Sequence, residues 1–423
     1  MQLYIIVKLT EMNFIFISPN FPHTYWEFCH RLQQNGVTVL GIGDTPYDNL
    51  CQELKFSLTE YRQVASLEDY DQVYRAVARY AWKYGRIDWI ESNNEYWLQL
   101  DARLRTDFNI KTGIQTDHIN AIKEKSQMKL YYKKGGVPTP RQVRVRPNDV
   151  PSPRRDDTTK DEAFKKVSDF AHTVGFPIFG KPDIGVGAAG TYKIDNDDAL
   201  RQFFNNEKSW YYYVFEEFIY SPICSYDAVI GRNSEPLFES MTVWPPSISD
   251  IVKQQLDLSY YVSPTMPDQL RDRGRRTVKA FGVFNRFVHL EFFCLDHDRE
   301  GLGKKGDFLG LEVNMRPAGG YTPDMINFAH STDVYKIWAD MVTYGESRTG
   351  QGEQYYCAFA SRRDIHHYRH THEEIIQRYG KDMVMCERMQ GIMVSAMGEQ
   401  MYTVKLKTKE EMEEFDNFVH ERA

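Results

Sequence analysis

The sequence predicts a protein of mixed α/β and α+β class, with a doubly wound N-terminal domain, antiparallel sheets in the middle and a small C-terminal α+β domain. At 423 residues the chain is too long for one hydrophobic core. Near the N-terminus, short apolar runs alternate with segments of helical spacing, as in doubly wound sheets. In the middle of the chain, aromatic strand-like runs follow one another directly, as in antiparallel sheets.

Composition excludes several classes of function. The net charge of −7 gives no basic footprint for nucleic acid, and no apolar run approaches the length of a membrane span. The six cysteines are scattered without a CxxC pair, which indicates reduced thiols in a cytoplasmic protein. Residues 1–11 lack the pattern of a secretory signal, and we interpret them as a start-site extension.

The N-terminal part reads as β-α-β, with a strand at 13–18, a helix at 23–35 and a strand at 37–42. Gly41-x-Gly43 follows the second strand and not the first, which does not support a dinucleotide fingerprint.

A helix at 67–84 and a strand at 87–91 continue this pattern. Glu95 comes just after that strand, at the edge where open α/β sheets bind ligands. It is a candidate substrate contact, and a loop-capping role is the alternative.

A glycine-rich loop follows a strand that ends in a lysine. We expect helices at 119–132 and 161–174, an exposed loop at 146–161 and a strand at 176–182 that carries Lys181. The following loop contains Gly185, Gly187 and Gly190, whose backbone N–H groups suit a polyphosphate, with Lys181 as a point charge. The loop lacks GxxxxGK[ST], so it is not a Walker P-loop.

A possible antiparallel sheet follows, with strands at 211–219, 225–230 and 235–243. The segment 244–262 is irregular, and we interpret 251–261 as a lid or substrate loop before a helix at 273–284.

Two strands carry the strongest chemical signal. Glu312, Asn314 and Arg316 alternate and therefore share one strand face, while Glu291 lies on the strand at 287–295. Pairing of the two strands as a hairpin brings three oxygen donors together, a set that suits one or two Mg²⁺ ions bridging nucleotide phosphates. The alternative is that both acids are ordinary solvent-facing strand residues.

The C-terminal part predicts a helix at 333–344, a strand at 355–360, a helix at 372–379, strands at 391–397 and 401–407, and a final helix from Lys409. Capping boxes that begin at Thr371 and Thr408 mark two of these helix starts. The histidines between 366 and 372 lie among arginines and without ligand partners at metal spacing, so we interpret them as a solvated basic loop.

The order of these motifs resembles the ATP-grasp superfamily over about residues 13–345, and the pattern is most similar to carboxylate–amine ligases, L-amino-acid ligases and carbamoyl-phosphate-synthetase-like or biotin-carboxylase-like members. The motifs that carry the resemblance are Glu124-Lys125, the run 136–140, 175–177 with Lys181, the glycine loop, Glu216-Glu217-Phe218-Ile219, Glu291, and Glu312-x-Asn314-x-Arg316.

The resemblance implies a role for each of these positions. ATP is expected at Lys125, Lys181, Gly185, Gly187, Gly190, Glu216, Glu217, Phe218 and Ile219, with the backbone of Glu217 and Ile219 reading the adenine. Mg²⁺, expected as two ions with Mn²⁺ as a substitute, is assigned to Glu291, Glu312 and Asn314. Arg316 and Lys181 are the expected catalytic residues, and Arg316, Gly319, Gly320 and Glu95 the expected substrate contacts.

One position departs from the family pattern. Relatives often carry an acid shortly after the hinge that binds the ribose, whereas here the nearest acid is Asp227. Asp227 is therefore the candidate for that contact.

The resemblance implies three parts and one activity. The parts are a pre-ATP-grasp domain at 1–117, an ATP-grasp domain at 118–345 with a small lid at about 140–215, and a C-terminal α+β domain at 346–423. The activity is ATP-dependent joining of a small carboxylate to an amine or thiol through an acyl phosphate. A kinase, a carboxyphosphate-forming enzyme and a non-catalytic ATP-binding regulator are the alternatives, and a homodimer is a candidate assembly.

Overall fold

The computed structural model describes residues 12–146, 158–185, 190–245, 251, 254–389, 391 and 393–423. The proposed start-site extension and most of the loop expected at 146–161 lie outside these residues. The described residues form three sheets with helices packed against them.

The N-terminal sheet is parallel, with strand order β3-β2-β1-β4, as the alternating pattern of strands and helices predicts. Its strands are β1 (Asn13–Ile17), β2 (Thr38–Gly43), β3 (Glu60–Gln63) and β4 (Trp89–Glu91), and its helices are α1 (Trp26–Gln34), α2 (Gln52–Ser57), α3 (Tyr70–Tyr84) and α4 (Leu98–Asp107). Two further helices, α5 (Asn120–Lys123) and α6 (Lys125–Lys134), lead out of this part. Short 3-10 turns lie at His23–Tyr25, Tyr47–Asn49 and Glu95–Trp97.

The second sheet is antiparallel, has the order β5-β8-β6-β7 and is built from strands between residues 142 and 217. It is here called the lid sheet after the lid predicted at about 140–215, and its role as a lid stays a prediction. Its elements are β5 (Gln142–Arg144), α7 (Lys160–Val174), β6 (Ile178–Pro182), β7 (Tyr192–Ile194), α8 (Asp197–Asn206), a 3-10 turn at Trp210–Tyr212 and β8 (Tyr213–Glu217). Aromatic side chains such as Phe204, Trp210 and Phe215 fill a core of its own between sheet and helices.

The third sheet, here called the central sheet, is antiparallel with order β13-β12-β9-β10-β11-β14-β16-β15. Its strands are β9 (Ile223–Ile230), β10 (Pro236–Trp244), β11 (Ser259–Ser263), β12 (Arg286–Cys294), β13 (Phe308–Asn314), β14 (Tyr356–Arg362), β15 (Met383–Arg388) and β16 (Gln400–Leu406). The helices after the lid are α9 (Asp268–Ala280), α10 (Thr322–His330), α11 (Val334–Tyr344), α12 (His372–Tyr379), α13 (Met393–Met397) and α14 (Lys409–His420).

Apolar cores cover both faces of the central sheet, and a separate core covers its C-terminal strands β14 and β16. On one face Tyr226, Val288 and Leu290 pack with Met128 of α6 and Leu270 of α9. On the other face, strand residues such as Val262 and Phe287 share a core with α10, α11 and the N-terminal sheet. This second face, which lies toward the N-terminal domain, carries the polar side chains of the candidate site.

The C-terminal strands extend the central sheet instead of forming a sheet of their own. Tyr260 of β11 pairs with Phe359 of β14, and β16 and β15 follow. The choice of strand partner is non-local, so local patterns do not reveal it. The division at 345 therefore separates two parts that share one sheet, and the division into three parts stays our proposal.

Four local expectations differ from the structure. The segment predicted as a strand at 391–397 contains the helix α13, and β15, which was not predicted, supplies the edge strand instead. The helix expected at 119–132 breaks at Glu124, whose backbone is extended. The segment 251–261, interpreted as a lid or substrate loop, overlaps strand β11, which lies inside the central sheet. Helix α10 was not predicted.

The predicted capping boxes at Thr371 and Thr408 are confirmed, since both begin helices with reciprocal side-chain bonds to Glu374 and Glu411. Across the residues that the structure describes, none of the helices combines the length and apolar character needed to cross a bilayer.

Candidate functional site

Three neighbouring strands of the central sheet place polar side chains on one face. Glu291 of β12 lies opposite Glu312 of β13, and His289 lies opposite Asn314. Because directly opposed residues of antiparallel strands project to the same side, the three predicted oxygen donors share one face. The expected hairpin pairing of the two strands is confirmed.

A bulge sets this register. Phe292 pairs with Gly310, but Glu291 pairs with Glu312, so Leu311 is an extra residue on β13. Gly310 has to be small, because a Cβ atom there would lie 2.5 Å from the ring of Tyr132 on α6. The bulge and the close approach of α6 together bring the Glu312 side chain near Lys125, at the start of α6.

His289 holds Glu291 from within the sheet. Its Nε2 lies 3.1 Å from Glu291 Oε1, and its Nδ1 lies 2.6 Å from Asp227 Oδ1. Burial alone would lower the pKa of His289, but the two carboxylates outweigh it and raise the pKa to about 9. Sequence reasoning placed His289 on this strand face without a partner, because Asp227 lies 62 residues away in the chain.

Asp227, the candidate for the ribose contact, is fully buried on the site face. Besides His289, its carboxylate accepts hydrogen bonds from Ser225 Oγ at 2.7 Å and Thr242 Oγ1 at 2.9 Å. These partners occupy both oxygens, which argues against a ribose contact and for a role in fixing His289.

Lys125 and Lys181 approach the same region from two different elements. Lys125, at the start of α6, places Nζ 3.3 Å from Glu312 Oε1 and donates to the Gly185 carbonyl at 2.9 Å. Lys181, near the end of β6, places Nζ 2.7 Å from Glu216 Oε2. A third lysine, Lys129 on α6, lies 3.1 Å from Glu216 Oε1.

These buried charges shift one another. Burial raises the pKa of Glu216, but Lys129 and Lys181 outweigh it and lower the pKa to about 2. Burial likewise opposes ionisation of Glu312, and the cations of Lys125, Lys181 and Arg316 still lower its pKa. The pKa of Lys129 is lowered, because burial outweighs the attraction of Glu216. Sequence reasoning missed Lys129, whose one signal was its position one helical turn after Lys125.

Asp183 ties the two lysine-bearing elements together. Its carboxylate accepts hydrogen bonds from the Ser126 N–H and hydroxyl, both at 2.8 Å, and its carbonyl accepts from the Lys125 N–H at 2.9 Å. Arg144 of the lid lies 3.0 Å from the same carboxylate. Asp183 thus accepts hydrogen bonds from the first N–H groups of α6, which explains why a new helix begins directly after Glu124.

The predicted hinge connects the lid sheet to the central sheet. Glu216 and Glu217 end β8, and the Glu217 carboxylate lies 2.8 Å from Arg141 of the lid. The Phe218 carbonyl accepts from Arg299 at 3.0 Å, and Ile219 packs in a small core with Leu295 and Leu309.

The glycine loop is described only at its two ends. Gly185 accepts the Lys125 hydrogen bond, and Gly190, with φ +70°, accepts one from Tyr213. Gly187 lies outside the described residues.

The expected substrate contacts lie at the end of β13. Arg316 Nε is 3.8 Å from Glu95 Oε2, and Lys123 Nζ is 2.9 Å from Glu95 Oε1. Gly320, with φ +61°, lies against Met397 and Tyr260, while an added Cβ at Gly319 would meet open space. Arg316 and Glu95 therefore come together, with the glycine backbone beside the short helix α13.

The donor set fits magnesium bound together with a polyphosphate. Two carboxylates and an amide oxygen on one sheet face are hard ligands, and lysines approach them from α6 and the lid. Within the described ranges, no three histidine, cysteine, aspartate or glutamate side chains are gathered as a metal cage. Mg²⁺ in nucleotide sites takes one or two carboxylates and completes its shell with phosphate and water, so such a cage is not required.

No protein-family model matches the sequence, and a comparison with curated proteins also finds no match. Solved structures do match. L-amino acid ligase from Bacillus licheniformis is 13% identical, with 96% of each chain covered and a TM-score of 0.65. Phosphoribosylglycinamide synthetase from Anaerococcus prevotii is 14% identical, with 96% of each chain covered and a TM-score of 0.61.

A third match is the biotin carboxylase domain of 2-oxoglutarate carboxylase from Hydrogenobacter thermophilus, solved with MgADP and bicarbonate. It is 15% identical, covers 90% of this chain and 80% of that chain, and has a TM-score of 0.59. The three structural matches cover 96%, 96% and 90% of this chain. The chain has the ATP-grasp fold.

Proposed function

We propose that this protein is an ATP-dependent carboxylate–amine ligase that forms an amide through an acyl phosphate and releases ADP and phosphate. The observation that carries the proposal is that Glu291, Glu312 and Asn314 share one face of the central sheet, with the Lys125 ammonium beside Glu312 and the Lys181 charge close enough to lower the pKa of Glu312. The solved enzymes with the same fold include an amino acid ligase and a synthetase, and one of them was solved with MgADP.

The two lysines are assigned to the triphosphate. Lys125 pairs with Glu312, and Lys181 pairs with Glu216. A bound triphosphate offers both ammonium groups a stronger anion, and Lys129 remains to neutralise Glu216. The hinge backbone from Glu217 to Ile219 is assigned to the adenine, and the glycine loop to the phosphates.

Glu291, Glu312 and Asn314 are the residues that would hold Mg²⁺. When bound, the ion supplies charge neutralisation for the phosphates during phosphoryl transfer. The protein's own part is to fix these ligands, and His289 does so for Glu291 through its bond to Asp227.

The chemistry then requires two bond exchanges. A substrate carboxylate oxygen forms a bond to the γ-phosphorus while the bond to the β-phosphate oxygen breaks, and ADP leaves. The amine nitrogen then bonds to the acyl carbon, phosphate leaves, and the amine loses a proton. Arg316 is assigned to the carboxylate and to the oxyanion of the second step, assisted by N–H groups near Gly319 and Gly320.

Transfer of ¹⁸O tests this proposal. With a carboxylate substrate labelled in both oxygens, an acyl phosphate delivers one label to the released phosphate, and ADP release depends on the amine. A stable phosphorylated product would indicate a kinase, and bicarbonate dependence a carboxyphosphate-forming enzyme. Nucleotide binding without turnover across a broad panel of acids and amines would indicate a regulator.

The expected assembly is a homodimer. Sedimentation of the full chain tests this expectation.

A further inference from the structure

A row of aromatic rings crosses the site face of the central sheet. Trp244 at the end of β10 stacks on Tyr260 of β11, with ring centroids 4.4 Å apart and an angle of 15°. Tyr260 stacks in turn on Phe359 of β14 at 4.8 Å. Tyr260 is buried, whereas Trp244 is only half-buried. The row therefore ends in a flat ring that is partly accessible.

Trp244 lies directly beside the candidate metal ligands. Its Nε1 donates to Ser225 Oγ at 3.2 Å, and Ser225 is the β9 residue that pairs with Glu291. Its ring centroid lies 6.0 Å from that of His289, which holds Glu291. The nitrogen of the indole is thus fixed to the sheet beside the candidate metal ligands, and the side chain is only half-buried.

The C-terminal part of the chain packs beside the same aromatic row. A Cβ atom at Gly320 would lie 3.1 Å from Met397 Cε and 3.8 Å from the Tyr260 hydroxyl. The backbone assigned to the substrate carboxylate therefore lies against a thioether and an aromatic ring. Met397 is buried in the same core as Tyr260. The border on this side is apolar.

A pair of opposite charges lies at the same loop. Arg316 Nε and Glu95 Oε2 are 3.8 Å apart, too far for a hydrogen bond, and Glu95 Oε2 is buried without a hydrogen-bond partner. Lys123 neutralises only the other oxygen, Oε1. Such a pair suits a zwitterion, with a carboxylate toward the guanidinium and an ammonium group toward Glu95 Oε2.

We propose that the substrate held by Arg316 is an α-amino acid, or the end of a short peptide, with a bulky apolar side chain that lies on Trp244 and Met397. This inference rests on the proposed ligase function and names its substrate class. Glu95 takes the ammonium group, Arg316 takes the carboxylate, and the aromatic–thioether border excludes water from the side chain. A charged or small side chain leaves that border exposed and binds more weakly.

Calorimetric titration of the full chain, in the presence of Mg²⁺ and a non-hydrolysable ATP analogue, tests this substrate class. The probes are phenylalanine, leucine, methionine, alanine, aspartate and lysine. We expect the three bulky apolar amino acids to bind at least about tenfold more tightly than the other three, the range that hydrophobic pockets give. Equal binding, no binding, or preference for a charged side chain overturns the inference.

Three variants test whether Trp244 causes the preference for bulky apolar amino acids. Trp244→Ala is expected to remove it, and Trp244→Phe to restore most of it, which separates loss of the ring from loss of folding. Trp82→Ala is the matched control, because Trp82 is 82% exposed on α3 and is expected to leave the preference unchanged. An undiminished preference in a folded Trp244→Ala protein contradicts the assignment.

Amine-dependent ADP release separates this inference from the ligase proposal. Selective binding of apolar amino acids that Trp244→Ala abolishes, without ADP release for any amine, retains the substrate class and rejects the ligase. ADP release with polar acids that Trp244→Ala does not alter retains the ligase and rejects the substrate class.

Discussion

The Lys125 ammonium lies 3.3 Å from the Glu312 carboxylate. Lys125 begins helix α6 and Glu312 lies in strand β13, so the two residues are far apart in the chain. This pair joins the two halves of the proposed nucleotide site. The lysine is assigned to phosphate and the glutamate to magnesium, so the two assigned ligands are expected to lie side by side. The following predictions derive from such relationships.

Glu312→Gln is expected to lower the rate of ADP formation at least about 1000-fold, because it removes a charged ligand from the metal site. The thermal unfolding midpoint is expected to stay within a few degrees of the native protein, since Glu312 is only partly buried. Glu300→Gln, in the exposed turn of the same hairpin, is the control. Unchanged ADP production by Glu312→Gln would remove the residue from the site.

Lys181→Ala is expected to weaken ATP binding by about 10- to 100-fold, the value of a charge-assisted hydrogen bond of about 1.5–3 kcal/mol. Lys129 still neutralises Glu216 in this variant, so the lid is expected to fold. Lys165→Ala on the exposed surface of α7 is the matched control. Calorimetric titration with a non-hydrolysable ATP analogue measures both, and equal affinities would show that Lys181 does not contact the nucleotide.

Asp227→Asn separates two roles for this residue. If Asp227 fixes His289 and through it Glu291, the Mg²⁺ concentration for half-maximal activity is expected to rise about 10- to 100-fold. Adenosine affinity is then expected to be unchanged. A fall in adenosine affinity with an unchanged Mg²⁺ dependence would instead restore the ribose contact expected from the sequence.

Asp324 on α10 makes stability depend on pH. Burial, with smaller contributions from the Glu27 and Glu387 carboxylates, raises its pKa to about 7, and its Oδ2 atom has no hydrogen-bond partner. The folded state therefore binds the proton more tightly than the unfolded chain. The stability that this carboxyl contributes is complete below its ordinary pKa of 3.8 and is lost as the pH rises through about 7.

Asp324→Asn removes this dependence. The unfolding midpoint of the variant is expected to rise relative to that of the native protein between pH 5 and pH 8. The difference in free energy of unfolding between the two proteins changes by at most about 1.4 kcal/mol per pH unit. Thermal unfolding at several pH values measures it. A difference between the two proteins that does not vary with pH would show that Asp324 titrates normally.

Local patterns predicted the parts of the site that lie close together in sequence. The alternation of Glu312, Asn314 and Arg316 is a property of one strand, and the apolar run around Glu291 required a long antiparallel partner. Lys181 stood out because it is a lysine near the end of a strand followed by glycines. These features follow from residue spacing alone.

Contacts between distant segments were not predictable in the same way. The pairing of Lys129 with Glu216 and of His289 with Asp227 depends on how helices and strands pack, and so does the Asp183 cap on α6. The bulge at Leu311 has no local signature apart from the preceding glycine. The pairing of β11 with β14, which joins the C-terminal part to the central sheet, is equally non-local.

The binding of Mn²⁺ as a reporter for Mg²⁺, followed by electron paramagnetic resonance, tests the central claim most directly. With a non-hydrolysable ATP analogue present, the native protein is expected to bind the ion, and the Glu291→Gln, Glu312→Gln double variant is expected to lose that binding while retaining its fold. Equal Mn²⁺ binding by the two proteins would contradict the proposal that these strands hold the metal of a nucleotide site.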